Sequence, residues 1–358
     1  LLHGVIDSPD IPLNVSRSAL QMDRTVRKIA DFIAKKVSDR LKELFKNEPK
    51  QYVTCWKDLG TFVKFGFIND DKFKKQIEDI IIYRTTANLA TQTDKPSVQV
   101  ETTEGDAWQE VDSDNSFTLD GTSYTPLNEY LERNKTQHEN RVFYCTDPVS
   151  QSTYVELHKG QGLEVLFLDA FIDTHFISYL ERERSEVKFA RVDAELDDTL
   201  LNKEQEAEIV DPKTNKTRSE QVKDLFEKAL NKPQVTIRTE SLKSDNPQSV
   251  PPAMILLPEQ MRRMRDMMAV LQQETAMFPD EHILVVNLSH PMVQNLLNLS
   301  QGSIVQVDGG TSPTGELANL ICQHVYDLAL MAQKSFDADS MKQFVDRSNQ
   351  VLTRLTER

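Results

Sequence analysis

Asn14, Arg17 and Gln21 stand three and four residues apart at the start of a helical pattern. If Ser16 caps that helix, Arg17 and Gln21 project from one face of its first turn, with Asn14 just before it. A helix start offers free N–H groups and positive potential, which suit an anion. Arginine adds a planar donor fork matched to phosphate. An Arg held in this way by a neighbouring loop can neutralise charge on a transferring γ-phosphate. The same residues also fit a structural cap beside a surface arginine, and spacing leaves both readings open.

A second constellation is made of methionine. Six of the ten Met lie in residues 254–277: Met254, Met261, Met264, Met267, Met268 and Met277. Met261, Met264, Met268 and Leu271 fall on one helical face, broken up elsewhere by Arg262, Arg263, Arg265 and Asp266. Flexible, polarizable Met faces suit promiscuous binding. A buried core stripe is the bland alternative, although such a stripe is more often Leu, Ile and Val.

The third constellation is a pair of C-terminal apolar faces. Leu317, Leu320, Ile321, Val325, Leu328 and Met331 make one; Met341, Phe344, Val345, Val351, Leu352 and Leu355 make the other. Two such helices alone bury little, and doubling them by two-fold symmetry gives a four-helix bundle. Packing on the preceding domain is the competing use of the same faces.

Other chemistries find no motif. The seven His never form HExxH, and His282 and His290 stand eight apart across a strand end, so no metal site is expected. GxSxG, GxGxxG, a P-loop and a cysteine-nucleophile cue are absent, which leaves a standalone α/β enzyme without support. With 42 Lys+Arg against 56 Asp+Glu, the net charge of −14 argues against general nucleic-acid binding. The longest apolar runs, such as Ile283–Val286, are far short of the about 20 residues of a membrane-spanning helix. Cys55, Cys145 and Cys322 lie far apart, which fits a reducing compartment rather than a disulfide scaffold.

The elements that must carry these residues follow from periodicity. Helical patterns run from Arg17 to Phe45, with Phe32 or Ile33 inward, then around Gln51–Phe65 and Asp71–Tyr83. Residues 24–50 hold nine basic and four acidic residues, a basic surface on an acidic chain. Residues 91–123 hold eight acids and one Lys and read as an exposed loop or small hairpin, with FTLDGTSYT turning at Asp120-Gly121. Leu127–Arg133 resumes a helix. Strand Arg141–Cys145, helix 150–160, strand Glu164–Leu168 and helix Phe171–Glu181 form a parallel βαβ unit. Residues 181–211, with eleven acids against five bases, read as a linker. Beyond it come helix Gln221–Leu230, strands Val235–Arg238, Ala253–Leu257 and His282–Val286, helix Glu259–Gln273 started by Pro258, helix Pro291–Leu299, and helices over 314–334 and 338–355.

The run GVIDSPDIPLNVSR (Gly4–Arg17), followed by Leu20-Gln21 and the basic helix, closely resembles the catalytic loop of the ninety-kilodalton heat-shock protein family. YVTCWKDLGTFVKFG, RVFYCTD, EVLFL, the Met-rich helix and the two terminal helices match in order. The resemblance implies an ATP-dependent chaperone built from an N-terminal ATP-binding domain, a middle domain and a C-terminal dimerisation domain. It implies that this chain, which opens on Leu1, is a fragment: the end of the large middle subdomain (1–92), a small α/β middle subdomain with an acidic insertion (93–190) and the C-terminal domain (191–358). The implied fold is α/β and α+β multidomain. Arg17 then reaches the ATP γ-phosphate, with Asn14 and Gln21 as polar neighbours in the catalytic loop. Met261, Met264, Met267, Met268 and Leu271 meet unfolded clients. Leu317, Leu320, Ile321, Val325, Leu328, Met341, Phe344, Val345 and Leu352 form the homodimer interface. ATP and Mg²⁺ are bound by the missing N-terminal domain, so the fragment alone is expected to be inactive and to carry no cofactor or metal. Other chaperones are further expected partners; nucleic acid and a membrane span are not. Ser18 stands where the family usually has Glu, and the stretch 91–123 is longer than the family's usual link. The chain ends without an acidic MEEVD tail, which favours the bacterial, cytoplasmic form over a eukaryotic cytosolic one; a mitochondrial relative also lacks that tail.

Overall fold

The computed structural model describes residues 24–89, 117–202, 216–244, 246–248, 250–257, 282–301, 313–333, 336 and 338–356. The chain divides into two compact units: residues 1–133 with 170–183, and residues 134–169 with 184–358. Both units mix helices and sheet, as the α/β and α+β reading requires.

In the first unit, helices α1 (Arg24–Asn47), α2 (Pro49–Asn69) and α3 (Asp71–Ile77) follow one another with almost no loop. Pro49 opens α2, where its fixed φ is preorganised and its missing N–H costs nothing. Tyr52, Val53, Trp56, Gly60, Val63 and Phe67 form its buried face at helical spacing. Gly60 lets the Trp56 ring pack close to the helix, since a Cβ there would meet that ring at 3.1 Å. Asp70 stops α2 and caps α3, its Oδ1 accepting from Lys72 N at 2.8 Å and Phe73 N at 3.1 Å. In α1, Val26, Leu41 and Leu44 are buried, whereas Phe32 is 62% exposed and Ile33 is half-buried; the inward residue of that pair is Ile33.

The helix expected over Asp71–Tyr83 stops at Ile77. A 3-10 turn (Glu78–Ile80) and strand β1 (Ile82–Thr85) replace its second half. The run Ile80-Ile81-Ile82-Tyr83 is buried throughout. Consecutive β-branched residues buried on all sides favour a strand over an amphipathic helix. β2 (Thr118–Leu119) and β3 (Thr122–Pro126) form the expected hairpin, and β3 also pairs antiparallel with β1. Its two-residue loop has Asp120 at φ 53° and Gly121 at φ 74°, the positive pair that a tight hairpin turn demands. Helix α4 (Leu127–His138) follows, and α6 (Asp173–Glu183) completes the first unit.

The second unit holds the expected parallel pair, β4 (Arg141–Cys145) and β5 (Val165–Phe167), joined through α5 (Ser152–Gly160). A third parallel strand, β6 (Lys188–Arg191), pairs with the other side of β4. That strand lies inside the acidic stretch read as a linker, where Val187, Phe189, Val192, Leu196, Leu200 and Leu201 are all buried. Its apolar residues are spaced among Glu, Asp and Arg, so net charge hid a period-two pattern only four residues long.

A second sheet runs β7 (Val235–Glu240), β9 (His282–Asn287), β8 (Ala253–Leu256), with β7 parallel and β8 antiparallel to β9. Alternation sends Ile255, Leu284 and Val286 to one face, against Val222 and Phe226 of α7 (Arg218–Leu230), Val293 and Leu296 of α8 (Pro291–Gln301), and Cys322 and Val325 of α9 (Pro313–Met331). Met254, Leu256 and Val285 join a core on the other face with Phe143, Tyr154, Leu163, Val165 and Leu200. A strand covered on both faces needs an unbroken apolar run, which explains HILVVN. Thr217 and Glu220 close a capping box at the start of α7, and Asn231 ends it in the left-handed conformation. Helix α10 (Ala338–Thr356) follows α9.

Candidate functional site

Asn14, Arg17 and Gln21 lie outside the described residues, as do Met261, Met264, Met267, Met268 and Leu271. What the structure does place is the framework at their borders. α1, which begins at Arg24, exposes Arg24, Arg27, Lys28, Lys35, Lys36, Arg40, Lys42 and Lys46, while Asp31, Asp39 and Glu43 are its only acids. Two of those acids are engaged: Asp31 Oδ2 accepts from Lys72 Nζ at 2.7 Å, and Glu43 Oε2 from Arg40 Nη1 at 2.8 Å. The expected basic surface is therefore real, and it follows directly on the Arg17 segment in sequence.

Helix α2 of the same unit carries a buried ion pair. Lys64 of α2 is buried, its Nζ 2.5 Å from Asp173 Oδ1 and over the rings of Tyr83 (5.5 Å) and Phe176 (5.7 Å). Asp173 Oδ2 also accepts from Ala170 N at 3.0 Å, so both carboxylate oxygens have donors. Tyr52 OH donates to Ile80 O at 2.5 Å, and burial pushes that phenol up. A buried ion pair persists only when its remaining polar valences are met, as they are here.

The terminal helices divide the residues expected at a dimer interface. Leu317 and Val325 are buried within the unit, and Ile321 packs against the same core. Leu320 and Phe344 are half-buried. Leu328 (43%), Met341 (42%), Val345 (46%) and Leu352 (59%) are exposed, and so is Leu355. α10 buries a single residue, Val351. α10 is held against α9 by Arg347–Asp327 and by Arg354 Nη2–Glu316 Oε2 at 3.3 Å, with Phe344 stacked on His324 at 5.1 Å. Burial and the charge of Arg347 both hold His324 below its usual range. The exposed set forms an unpartnered apolar stripe on α10, with Leu328 on α9.

Among the described residues no three His, Cys, Asp or Glu side chains gather as a metal set, and no helix is long and apolar enough to cross a membrane. His282 Nε2 meets Tyr326 OH at 3.1 Å, and His290 Nδ1 accepts from Met292 N at 3.1 Å. Two features escaped the sequence. One is a buried polar cluster, Arg191, Asp193, Gln151 and Thr146, at the C-terminal ends of β4 and β6. The other is a pair of buried histidines, His138 and His158, whose rings lie 5.0 and 4.9 Å from Phe143. Short spacings occur within each (Arg191 to Asp193, Thr146 to Gln151, His138 to Phe143), but the partners that complete them, Gln151 for Asp193 and His158 for Phe143, lie 42 and 15 residues away.

The described residues thus form two mixed α/β units with a basic first helix and a terminal helix pair. The family model described as Hsp90 protein matches residues 1–97 and 116–357, and the chain belongs to that family. Chaperone protein HtpG of Porphyromonas gingivalis is 35% identical over 315 residues, covering 85% of this chain and 40% of that protein. Chaperone protein HtpG of Bacteroides thetaiotaomicron is 33% identical over 308 residues (83% and 39%). That of Magnetococcus marinus is 27% identical over 361 residues (98% and 48%). The chain thus spans less than half the length of these curated relatives. Among solved structures, the middle domain of a Plasmodium falciparum heat shock protein superposes at TM-score 0.32 and 16% identity, over 49% of this chain and 61% of that one; the fold above does not rest on it. The family model passes over residues 98–115, inside the acidic stretch that the sequence marked as longer than usual.

Proposed function

We propose that the chain is the middle and C-terminal part of an ATP-dependent molecular chaperone that assists the folding and stabilisation of client proteins in the bacterial cytoplasm. The observation that carries this reading is the family match, which runs from residue 1 to residue 357 with one gap and so includes the Arg17 loop, the Met-rich segment and both terminal helices. Relatives bearing the chaperone name support it.

In this reading ATP and Mg²⁺ are held by a domain outside the chain. Arg17 enters that site when domains dock, with Asn14 and Gln21 shaping its loop, and it neutralises charge on the γ-phosphate. Hydrolysis then resets an open–closed cycle. The proposed organisation keeps 1–92 and 93–190 as middle subdomains and 191–358 as the C-terminal domain. Met261, Met264, Met267, Met268 and Leu271 offer clients an adaptable apolar face. The exposed stripe Leu328, Met341, Val345 and Leu352 supports a homodimer through a four-helix bundle. The chain by itself should not hydrolyse ATP; turnover by the purified chain, abolished by no change at Arg17, would sink this division of labour.

The second reading is a non-catalytic dimeric scaffold, which the same exposed stripe also favours. The two part on one assay. A chaperone suppresses aggregation of an unfolding client protein, and a scaffold leaves it unchanged.

A further inference from the structure

The parallel strands of the second unit run β5-β4-β6, so the chain leaves β4 in one direction and returns to its other side. In wound α/β sheets that reversal opens a crevice at the C-terminal strand ends, the usual place for a ligand. Here the crevice between β4 and β6 is filled by the protein itself. Arg191, at the end of β6, donates from Nε to Asp193 Oδ1 at 2.5 Å and from Nη2 to Asp193 Oδ2 at 2.8 Å. Gln151, before α5, donates from Nε2 to Asp193 Oδ2 at 3.1 Å. Its Oε1 accepts from Thr146 N at 2.9 Å and Asp147 N at 3.3 Å, just past β4. Asp193, Gln151 and Arg191 are all buried. This cluster therefore ties the ends of both strands and the start of a helix into one satisfied network, which is rigid because each loss would strand a buried polar group.

The network has a second connection. The backbone carbonyl of Asp193 accepts from Leu257 N at 3.2 Å, and Tyr154 OH donates to Ile255 O at 2.5 Å. Ile255 and Leu257 sit at the exit of β8, immediately before the segment that carries Met261, Met264 and Met268. The crevice that could have held a ligand instead seats the end of a strand from the other sheet.

We infer that the Arg191–Asp193–Gln151 cluster is a latch that fixes where the chain leaves β8, and that Asp193 and Gln151 are positioning residues for client contact by the Met-rich segment. The effect on clients rests on the chaperone reading; the latch does not. Two variants of the 358-residue chain test it without leaving a stray buried charge: Gln151→Leu, and the double change Arg191→Met with Asp193→Asn. Amide hydrogen exchange reads the latch, and suppression of aggregation of chemically unfolded citrate synthase reads client holding. The expected result is that exchange at Leu257 N rises by about tenfold or more, as for a locally released strand end. Exchange at Leu284 N in β9 should stay at the parent level, and holding should fall severalfold. Unchanged exchange at Leu257 overturns the latch. A joint rise at Leu257 and Leu284 also overturns it, because the cluster would then be ordinary core. Release of Leu257 with holding intact overturns the positioning role. If the unmodified chain holds no client, the chaperone reading fails, and the exchange measurement still decides the latch.

Discussion

Arg17 is the residue on which the proposed ATP chemistry turns. In that proposal its contribution belongs to the transition state, where a preorganised cation stabilises the charge spread over the transferring group and the leaving oxygen. In the full-length protein Arg17→Ala should lower kcat by about 10²–10³-fold, the usual cost of removing one preorganised donor, with ATP affinity little changed. Steady-state turnover and nucleotide titration measure the two separately; equal losses in both would make Arg17 a ground-state binder. A second residue-scale expectation concerns acid. His158 is fully buried, its Nδ1 2.7 Å from Tyr154 O and its Nε2 without a hydrogen-bond partner, and desolvation lowers it to about 4. Burial also lowers His138, opposed by a hydrogen bond to the Arg141 backbone and by the charge of Glu164, with the Arg141 cation adding to the lowering. Both therefore favour the neutral form in the folded chain. Their stabilisation is present above about pH 6.5, the ordinary value, and is lost as pH falls toward 4, because the unfolded chain takes up protons first. For His158 the loss approaches roughly 3 kcal/mol. Thermal melts from pH 7 to 4 should show the decline, and His158→Gln should flatten it.

At the scale of elements, the buried Lys64–Asp173 pair should reveal itself by its asymmetry. Lys64→Met leaves Asp173 buried without its cation and should cost about 3–5 kcal/mol in denaturant unfolding. Adding Asp173→Asn should recover much of that loss; an additive further loss would mean the pair is a net stabiliser rather than a matched liability. Element-scale structure was also where the sequence was most legible. The Asp120-Gly121 turn and the β4–α5–β5 unit match their expectation, whereas α2 starts at Pro49 and α7 is capped by Thr217, both earlier than the expected starts at Gln51 and Gln221. Two elements without a local cue were misread. β1 follows a helix with no Gly or Pro between them, and β6 is four residues inside a stretch dominated by charge. Gln151 meets Asp193 across 42 residues, and His158 joins His138 at Phe143 from the far end of α5, so only tertiary structure completes either cluster.

For the whole molecule, the proposed dimer rests on the exposed apolar stripe of α10. Leu352 and Val345 are exposed, whereas Leu317 and Val325 serve the core of their own unit. Deleting both terminal helices would therefore strip Ala318, Cys322 and Val325 from that core as well as any dimer contact. Surface substitution separates the two effects. Val345→Glu with Leu352→Glu should convert a dimer to a monomer by light scattering with little change in melting temperature; a parent chain already monomeric would refute the dimer. The same scale accounts for the uneven charge. The basic run of α1 adjoins the segment proposed to meet phosphate, and the acidic runs lie elsewhere in the sequence, so net charge alone conceals a surface suited to an anion.

The central claim, that this chain holds unfolded proteins through its Met-rich segment, is tested most directly by one light-scattering experiment. A thermally unfolding client is incubated with the parent chain and with Met261→Ser, Met264→Ser, Met268→Ser combined. The account predicts that the parent suppresses aggregation, and that the triple variant loses most of that suppression while keeping its melting temperature and its mass. Full suppression by the triple variant, or none by a stoichiometric excess of the parent chain, would contradict it.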